Sequence, residues 1–265
     1  MTTKSFALVT GASSGIGYEL ARVFAQNGFD VLAVAEDERI AEAARRLSNG
    51  SSSVQSFRAD LATFDGVEEL YKQIQTIGRP LDAVAINAGV GVAGPFIERD
   101  LEAHLNLIGL NVISPVHLTH RILNDMKARG AGRILYTASI ASTMPGPFSS
   151  TYNASKAFVK SFAEAIRNEL KDTGITVTVL MPGPTETDFF ERAGMEGTKL
   201  GDKPDKDDAA EVAREGFEAL MAGKDHVIAG SFMNKVQATM AHVLPDTAVA
   251  EMHRKQVEPG SGKKE

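Results

Sequence analysis

The stretch Phe6-Ala-Leu-Val-Thr-Gly-Ala-Ser-Ser-Gly-Ile-Gly17 decides the fold. Phe6 to Thr10 is a short apolar run closed by Gly11, the pattern of a buried parallel strand. The glycines are spaced G-x-x-x-G-x-G and lead into a helix with Leu20, Ala21, Phe24 and Ala25 on one side. Strand, glycine turn and helix in this order make the place where an open α/β sheet takes a phosphate-bearing ligand. Glycines let the backbone approach a pyrophosphate, and the helix start offers free N–H groups and the positive end of its dipole. Alone, such a turn could equally be a plain tight turn; the strand before it and the helix after it favour the ligand.

The rest of the first half repeats the unit. Asp30 to Ala35 reads as a second strand, a helix runs from about Glu38 to Leu47, and Gly50 with a serine cluster makes a loop. Val54 to Ala59 is a third strand ended by Asp60-Leu61. A helix near Phe64 to Ile77 stops at Gly78, with Pro80 beyond it. Leu81 to Ile86 is a fourth strand, followed by Asn87-Ala-Gly89. Strands and helices alternating at this spacing predict right-handed βαβ units, hence a doubly wound parallel sheet with helices on both faces. No internal repeat or linker divides the chain, which predicts one α/β domain.

Composition narrows the function. The 265 residues are 43% hydrophobic and 23% charged, ordinary for a globular chain, and the net charge of −6 argues against a nucleic-acid surface. Cysteine is absent, which excludes disulfides, zinc thiolates and thiol nucleophiles. No apolar run approaches the ~20 residues needed to span a bilayer, and the N-terminus lacks a signal peptide's core. The expectation is a cytoplasmic protein without membrane segments.

At the end of the second strand, Glu36-Asp37-Glu38 places three acids where an adenosine ribose would lie. A carboxylate accepts ribose hydroxyl hydrogen bonds and repels a 2′-phosphate. This favours NAD over NADP, with Arg39 the nearest base after the strand. The acids also suit a helix N-terminus for its dipole alone, and on that reading NADP stays open.

In the second half, a helical segment runs from roughly Leu101 to Arg129. Asn111 in its interior signals a local distortion or a buried hydrogen-bonding task. Arg133 to Ala138 is a fifth strand that delivers Ser139 at its C-terminal end, where open α/β sheets place their active sites. A helix follows. At 100° per residue, Tyr152, Lys156, Val159, Ala163, Ile166 and Leu170 fall within roughly an 80° arc. A phenol and an ammonium thus sit one turn apart on the stripe the helix uses for burial, and burying a lysine without purpose is costly. Ile175 to Met181 is a sixth strand closed by Pro182-Gly183.

Taken together, Thr10-Gly-Ala-Ser-Ser-Gly-Ile-Gly17, Asp60-Leu61, Asn87-Ala-Gly89, Asn111, Ser139, Tyr152-Asn-Ala-Ser-Lys156 and Pro182-Gly183 with Thr187 resemble the classical short-chain dehydrogenase/reductase family. The resemblance covers the chain from its first strand to about residue 190. It implies a single Rossmann-type domain over residues 1–257. It also implies an oxidoreductase moving hydride between a nicotinamide cofactor and an alcohol/carbonyl substrate, with a catalytic tetrad of Asn111, Ser139, Tyr152 and Lys156. Tyr152 would be the acid/base, its phenolate favoured by Lys156 because a free tyrosine pKa of ~10 is too high. Ser139 would orient the reacting oxygen, and Asn111 would hold a water of a proton relay. Gly11, Ser13, Ser14, Gly15, Ile16 and Gly17 would cradle the cofactor phosphates and ribose, and Glu36 the adenosine ribose. Asp60 and Leu61 would lie at the adenine, Asn87, Ala88 and Gly89 near the ribose, and Pro182, Gly183, Thr185 and Thr187 around the nicotinamide. Lys156 would also bind the nicotinamide ribose. Asn87-Ala-Gly89 could instead only brace the sheet. The alternatives are a non-catalytic NAD(P)-binding sensor or scaffold, and a dehydratase or epimerase of the same fold.

Residues 187–208, with Phe189, Phe190 and Met195, read as a lid. Val90, Val92, Met144, Pro145 and Phe148 form the other rim, so a neutral or apolar small-molecule substrate is expected. His117 and His120 lack metal-ligand spacing and an evident carboxylate partner, and no metal site is expected. A helix from Asp207 to Met221, a strand from His226 to Ala229 and a helical region from Phe232 to Arg254 interrupted near Pro245 complete the chain, and 258–265 reads as a disordered tail. Phe158, Phe162 and Ala165 lie off the Tyr152 stripe, so that helix is apolar on two faces; a homodimer or homotetramer is expected.

Overall fold

The computed structural model describes residues 4–48, 50, 52–241 and 243–262. The elements in order are β1 (Phe6–Thr10), α1 (Gly15–Gln26), β2 (Asp30–Ala35), α2 (Arg39–Leu47), β3 (Val54–Arg58), α3 (Phe64–Ile77), β4 (Ala83–Ile86), α4 (Leu101–Ile108), α5 (Ser114–Arg129), β5 (Gly132–Thr137), α6 (Ser150–Glu169), β6 (Ile175–Pro182), α7 (Phe189–Arg192), α8 (Ala209–Met221), β7 (His226–Ala229), α9 (Phe232–Ala241) and α10 (Asp246–Val257). The strands form one parallel sheet in the order β3-β2-β1-β4-β5-β6-β7. Strand order reverses between β1 and β4, and the crevice outside their C-terminal ends is where such sheets bind ligands.

Alternation along β1 feeds two cores. Ala7 and Val9 pack with Leu20 and Phe24 of α1 and Phe217 of α8, while Phe6 and Leu8 join Leu70 of α3, Ile122 of α5 and Val159 of α6. Both faces are covered, which is why the central strands read as unbroken apolar runs. Helix α3 begins where the Thr63 hydroxyl accepts the Gly66 N–H at 3.0 Å, and ends at Gly78 in the left-handed conformation.

Two regions depart from the sequence reading. The long helix is interrupted by a π-helical turn at Gly109–Ile113, so α4 and α5 are separate. At 258–262 the chain is not a free tail: the Gly262 N–H donates to the Gly197 carbonyl at 3.0 Å, and the Lys199 N–H donates to the Ser261 hydroxyl at 3.0 Å. Composition alone missed it because these contacts are made by small residues, through a backbone N–H and a serine hydroxyl. Residues 263–265 lie outside the described residues.

Candidate active site

The glycine loop has the backbone the spacing requires. Gly11 and Gly15 have φ of 69° and 55°, the left-handed region, and a Cβ on Gly17 would collide with the Gly11 carbonyl. The loop can therefore press against α1, whose first turn begins at Ser14 without a side-chain cap, leaving its N–H groups for a ligand. Gly11, Ser13, Ser14, Gly15, Ile16 and Gly17 all line one continuous cleft along the C-terminal edge of the sheet.

At one end the cleft is walled by Ala35, Glu36, Asp37, Ala59 and Leu61. The Ser13 hydroxyl donates to Asp37 Oδ2 at 2.7 Å, tying the second-strand acids to the glycine loop. Burial alone would raise the Asp37 carboxyl, but Arg39 and Ser13 outweigh it and hold it below its ordinary value. Arg39 pairs with Asp37 at 3.1 Å and with Asp188 at 3.5 Å. Asp60 is not part of the wall: it is exposed, and its carboxylate accepts the Ala62 N–H at 2.9 Å. Ala35 and Ala59 stand there beside Asp37, and only a strand register could have selected those two alanines.

Asn87, Ala88 and Gly89 line the middle of the cleft and also brace the sheet. The Asn87 and Ala88 N–H groups both donate to the Thr10 hydroxyl at 3.0 Å, and Asn87 Nδ2 donates to the Thr10 carbonyl at 3.1 Å. A side chain on Gly89 would come within 3.2 Å of both Asn111 Oδ1 and Lys156 Nζ. The bare glycine leaves room that both groups reach.

Asn111 is 1% exposed inside the π-helical turn. Its amide caps Val90, accepting from the N–H at 3.0 Å and donating to the carbonyl at 2.9 Å, and it reaches Ser155 Oγ at 3.0 Å. The widened turn follows: the amide satisfies a loop while Gly109 lets the helix approach the Ala62 carbonyl, 2.7 Å from where a Cβ would sit.

Ser139 lies just beyond β5, Tyr152 and Lys156 in the first two turns of α6. The Ser139 hydroxyl accepts the Ala141 N–H at 3.1 Å, donates to the Pro182 carbonyl at 3.4 Å, and is close enough to Tyr152 to favour its ionised form. Lys156 is 6% exposed; its Nζ donates to the Thr137 carbonyl at 2.9 Å and lies 5.8 Å from the Tyr152 ring centroid. Burial pushes Tyr152 up to about 12, against the smaller opposing effect of Ser139, and pushes Lys156 down to about 8. Desolvation of the phenol is the dominant influence on Tyr152. Pro182, Gly183, Thr185 and Thr187 complete this end of the cleft.

The segment 187–208 packs over Tyr152. Phe189 of α7 stacks obliquely on it with centroids 5.2 Å apart, and fits against Gly91, where a Cβ would meet the ring at 2.7 Å. Phe189, Phe190 and Leu200 pack with Phe148, Met195 and Val257 in a small separate core. Val90 and Met144 line the cleft; Val92 and Pro145 do not. His253 and Gln256 of α10 and Gln237 of α9 also line it, which the sequence did not indicate because nothing in their spacing ties them to α6. His117 does have a carboxylate partner: Glu68 lies 2.5 Å from its Nε2 and also pairs with Arg121. Three His or carboxylate groups placed to hold a metal are absent among the described residues, and no helix there is long and apolar enough to cross a membrane.

Comparison with known proteins gives a consistent picture. A family model described as short chain dehydrogenase matches residues 5–196. Human 17-beta-hydroxysteroid dehydrogenase type 1 is 33% identical over 196 residues, 71% of this chain; the match spans 59% of that relative's length. A short-chain dehydrogenase from Sphingobium yanoikuyae in complex with NADPH superposes with a TM-score of 0.78 at 28% identity, covering 84% of this chain and 87% of the other. A short-chain dehydrogenase/reductase from Burkholderia phymatum in complex with NAD shares the fold, with a TM-score of 0.81 at 22% identity over 96% of this chain and 97% of that one.

Proposed function

This chain belongs to the short-chain dehydrogenase family, and from that membership we propose that it is an oxidoreductase interconverting an alcohol and a carbonyl compound. The observation that carries the reading is the meeting of Ser139, Tyr152 and Lys156 at the end of a glycine-walled cleft on the sheet's C-terminal edge. A nicotinamide dinucleotide, when bound, supplies the hydride donor or acceptor. The residues fit such a group: the loop glycines leave room for phosphates, the uncapped start of α1 faces them, and Gly89 leaves a hollow beside Lys156.

The chain's own residues handle the proton and the geometry. Tyr152 Oη gives a proton to the substrate oxygen in reduction and takes it in oxidation. Ser139 Oγ hydrogen-bonds the same oxygen and fixes its direction. Lys156 supplies positive charge and ribose contacts, and Asn111 holds the relay that returns protons from solvent. The phenol's burial under Phe189 excludes bulk water from that exchange.

NAD is favoured over NADP because Glu36 and Asp37 stand at the ribose end and Asp37 engages the nearest guanidinium. The apolar lid supports a neutral or hydrocarbon-rich substrate. Exposed Ile97, Leu101, Leu105, Val116 and Phe158, on or beside α4, α5 and α6, support assembly as a homodimer or homotetramer. We take residues 1–257, with the packed residues 258–262, as one domain and place the protein in the cytoplasm.

The test is titration with NADH and NADPH by cofactor fluorescence, then turnover of neutral and acidic ketones. Tyr152→Phe should lower turnover about 10²–10⁴-fold while cofactor affinity changes little. Full activity in that variant would overturn the mechanism; tighter binding of NADPH would overturn the cofactor assignment alone.

A further inference from the structure

Charged side chains line the cleft unevenly. Glu36 and Asp37 stand at one end, and at the other Lys156 is committed to the Thr137 carbonyl at 2.9 Å. The glycine loop between them, Gly11 to Gly17, carries no basic side chain. The remaining guanidinium of the lining belongs to Arg192, the last residue of α7.

Arg192 is exposed, yet its side chain is tethered. Its Nε donates to the Asp188 main-chain carbonyl at 3.3 Å, which brings the guanidinium back to the start of α7. That start is also where segment 187–208 meets the glycine loop. A Cβ on Gly15 would come within 2.9 Å of the Thr187 methyl, and Gly15, Thr187 and Arg192 all line the same cleft. The tether is therefore one residue away from the contact with the loop.

Neighbouring carboxylates do not neutralise this guanidinium. On a helix, an acid four residues earlier is the usual partner of an arginine. Here the Asp188 carboxylate faces Arg39 at 3.5 Å, and Arg39 is held in turn by Asp37 at 3.1 Å. Asp188 engages Arg192 through its main chain only, and among the described residues no carboxylate pairs with Arg192. An uncompensated guanidinium on a cleft that also holds the uncapped start of α1 makes a place for an anion.

Resting on the oxidoreductase reading above, we propose that Arg192 binds the pyrophosphate of the dinucleotide and supplies the side-chain charge that the glycine loop lacks. The loop offers N–H groups and a helix dipole. Arg192 adds a full charge and two terminal nitrogens spaced for phosphate oxygens. Arg39 is the positioning residue: by occupying the Asp188 carboxylate it leaves Arg192 its charge.

The test uses the full chain and two ligands that differ in phosphate, adenosine and ADP-ribose. Each displaces NADH or NADPH, whichever binds, followed by cofactor fluorescence. Arg192→Gln should weaken ADP-ribose binding about 10-fold and leave adenosine unchanged. The fall of ADP-ribose affinity with added salt should be shallower in that variant. Arg192→Lys, which keeps the charge without the fork, should lie between the two proteins. Unchanged ADP-ribose affinity in Arg192→Gln would overturn the proposal and leave the oxidoreductase reading intact. An equal loss for adenosine would mark a structural role and overturn it as well. So would a loss confined to the turnover of acidic ketones, which would assign the guanidinium to the substrate. Binding of neither NADH nor NADPH by the unaltered protein would overturn both readings together.

Discussion

Lys156 shows how one residue can work against the stability of its own fold. Its ammonium has the Thr137 carbonyl as its hydrogen-bond partner in a largely buried position. Because the folded value of about 8 is below the ordinary 10.5, the unfolded chain holds more protons between those two pH values, and stability rises with pH across that window. Below about pH 8 the full penalty applies, about 3 kcal/mol. Lys156→Met should therefore raise the denaturant midpoint of the protein measured without added cofactor at pH 7, with the gain shrinking towards pH 10.5. A variant no more stable than the parent at pH 7 would count against a desolvated lysine. Tyr152 has the opposite sign: its raised value makes the folded state hold its proton longer, so its contribution falls away as pH rises from about 10 to about 12.

At the scale of elements, the π-helical turn is the device that sets Asn111. The amide makes three hydrogen bonds that no regular α-helical side chain at that register would reach together. Asn111→Ala leaves the Val90 N–H and carbonyl without those partners, at a cost of about 1–3 kcal/mol. Equilibrium unfolding should show that loss, and turnover should fall further than stability does. The sequence disclosed this element only as a disturbance: an asparagine among apolar neighbours signals a task, not the geometry that performs it. Elements whose periodicity is local were legible throughout, down to β7 at His226–Ala229. So was the Tyr152–Lys156 pair, because one helical turn joins them. Ala35, Ala59 and His253 were obscure for the reverse reason. Their place in the wall depends on strand register or on contacts across about a hundred residues of chain, which no window of sequence contains.

Over the whole molecule, the exposed apolar residues fall mainly into two groups, one around α4 to α6 and one between Phe232 and Met252. Leu101 and Leu105 are 65% and 56% exposed on α4, Ile97 is 91% exposed just before it, and Phe158 lies on the helix that α4 packs against. Such a patch is the kind of surface that a second copy covers. Leu105→Glu should shift sedimentation towards monomer with no loss of thermal stability in the monomer itself; unchanged sedimentation would remove α4 from the interface. The contacts of Gly262 with Gly197 and of Ser261 with Lys199 bear on a different matter, the order in which the molecule becomes competent during synthesis. A chain emerging N-terminus first has every wall of the dinucleotide cleft in hand by Thr187. The wall that receives the substrate closes only when α10 and its last residues clasp the lid. A ribosome-bound nascent chain would thus hold the residues of the cofactor end before those of the substrate end, and would still await Phe217 of α8 to cover the helix that starts at the glycine loop.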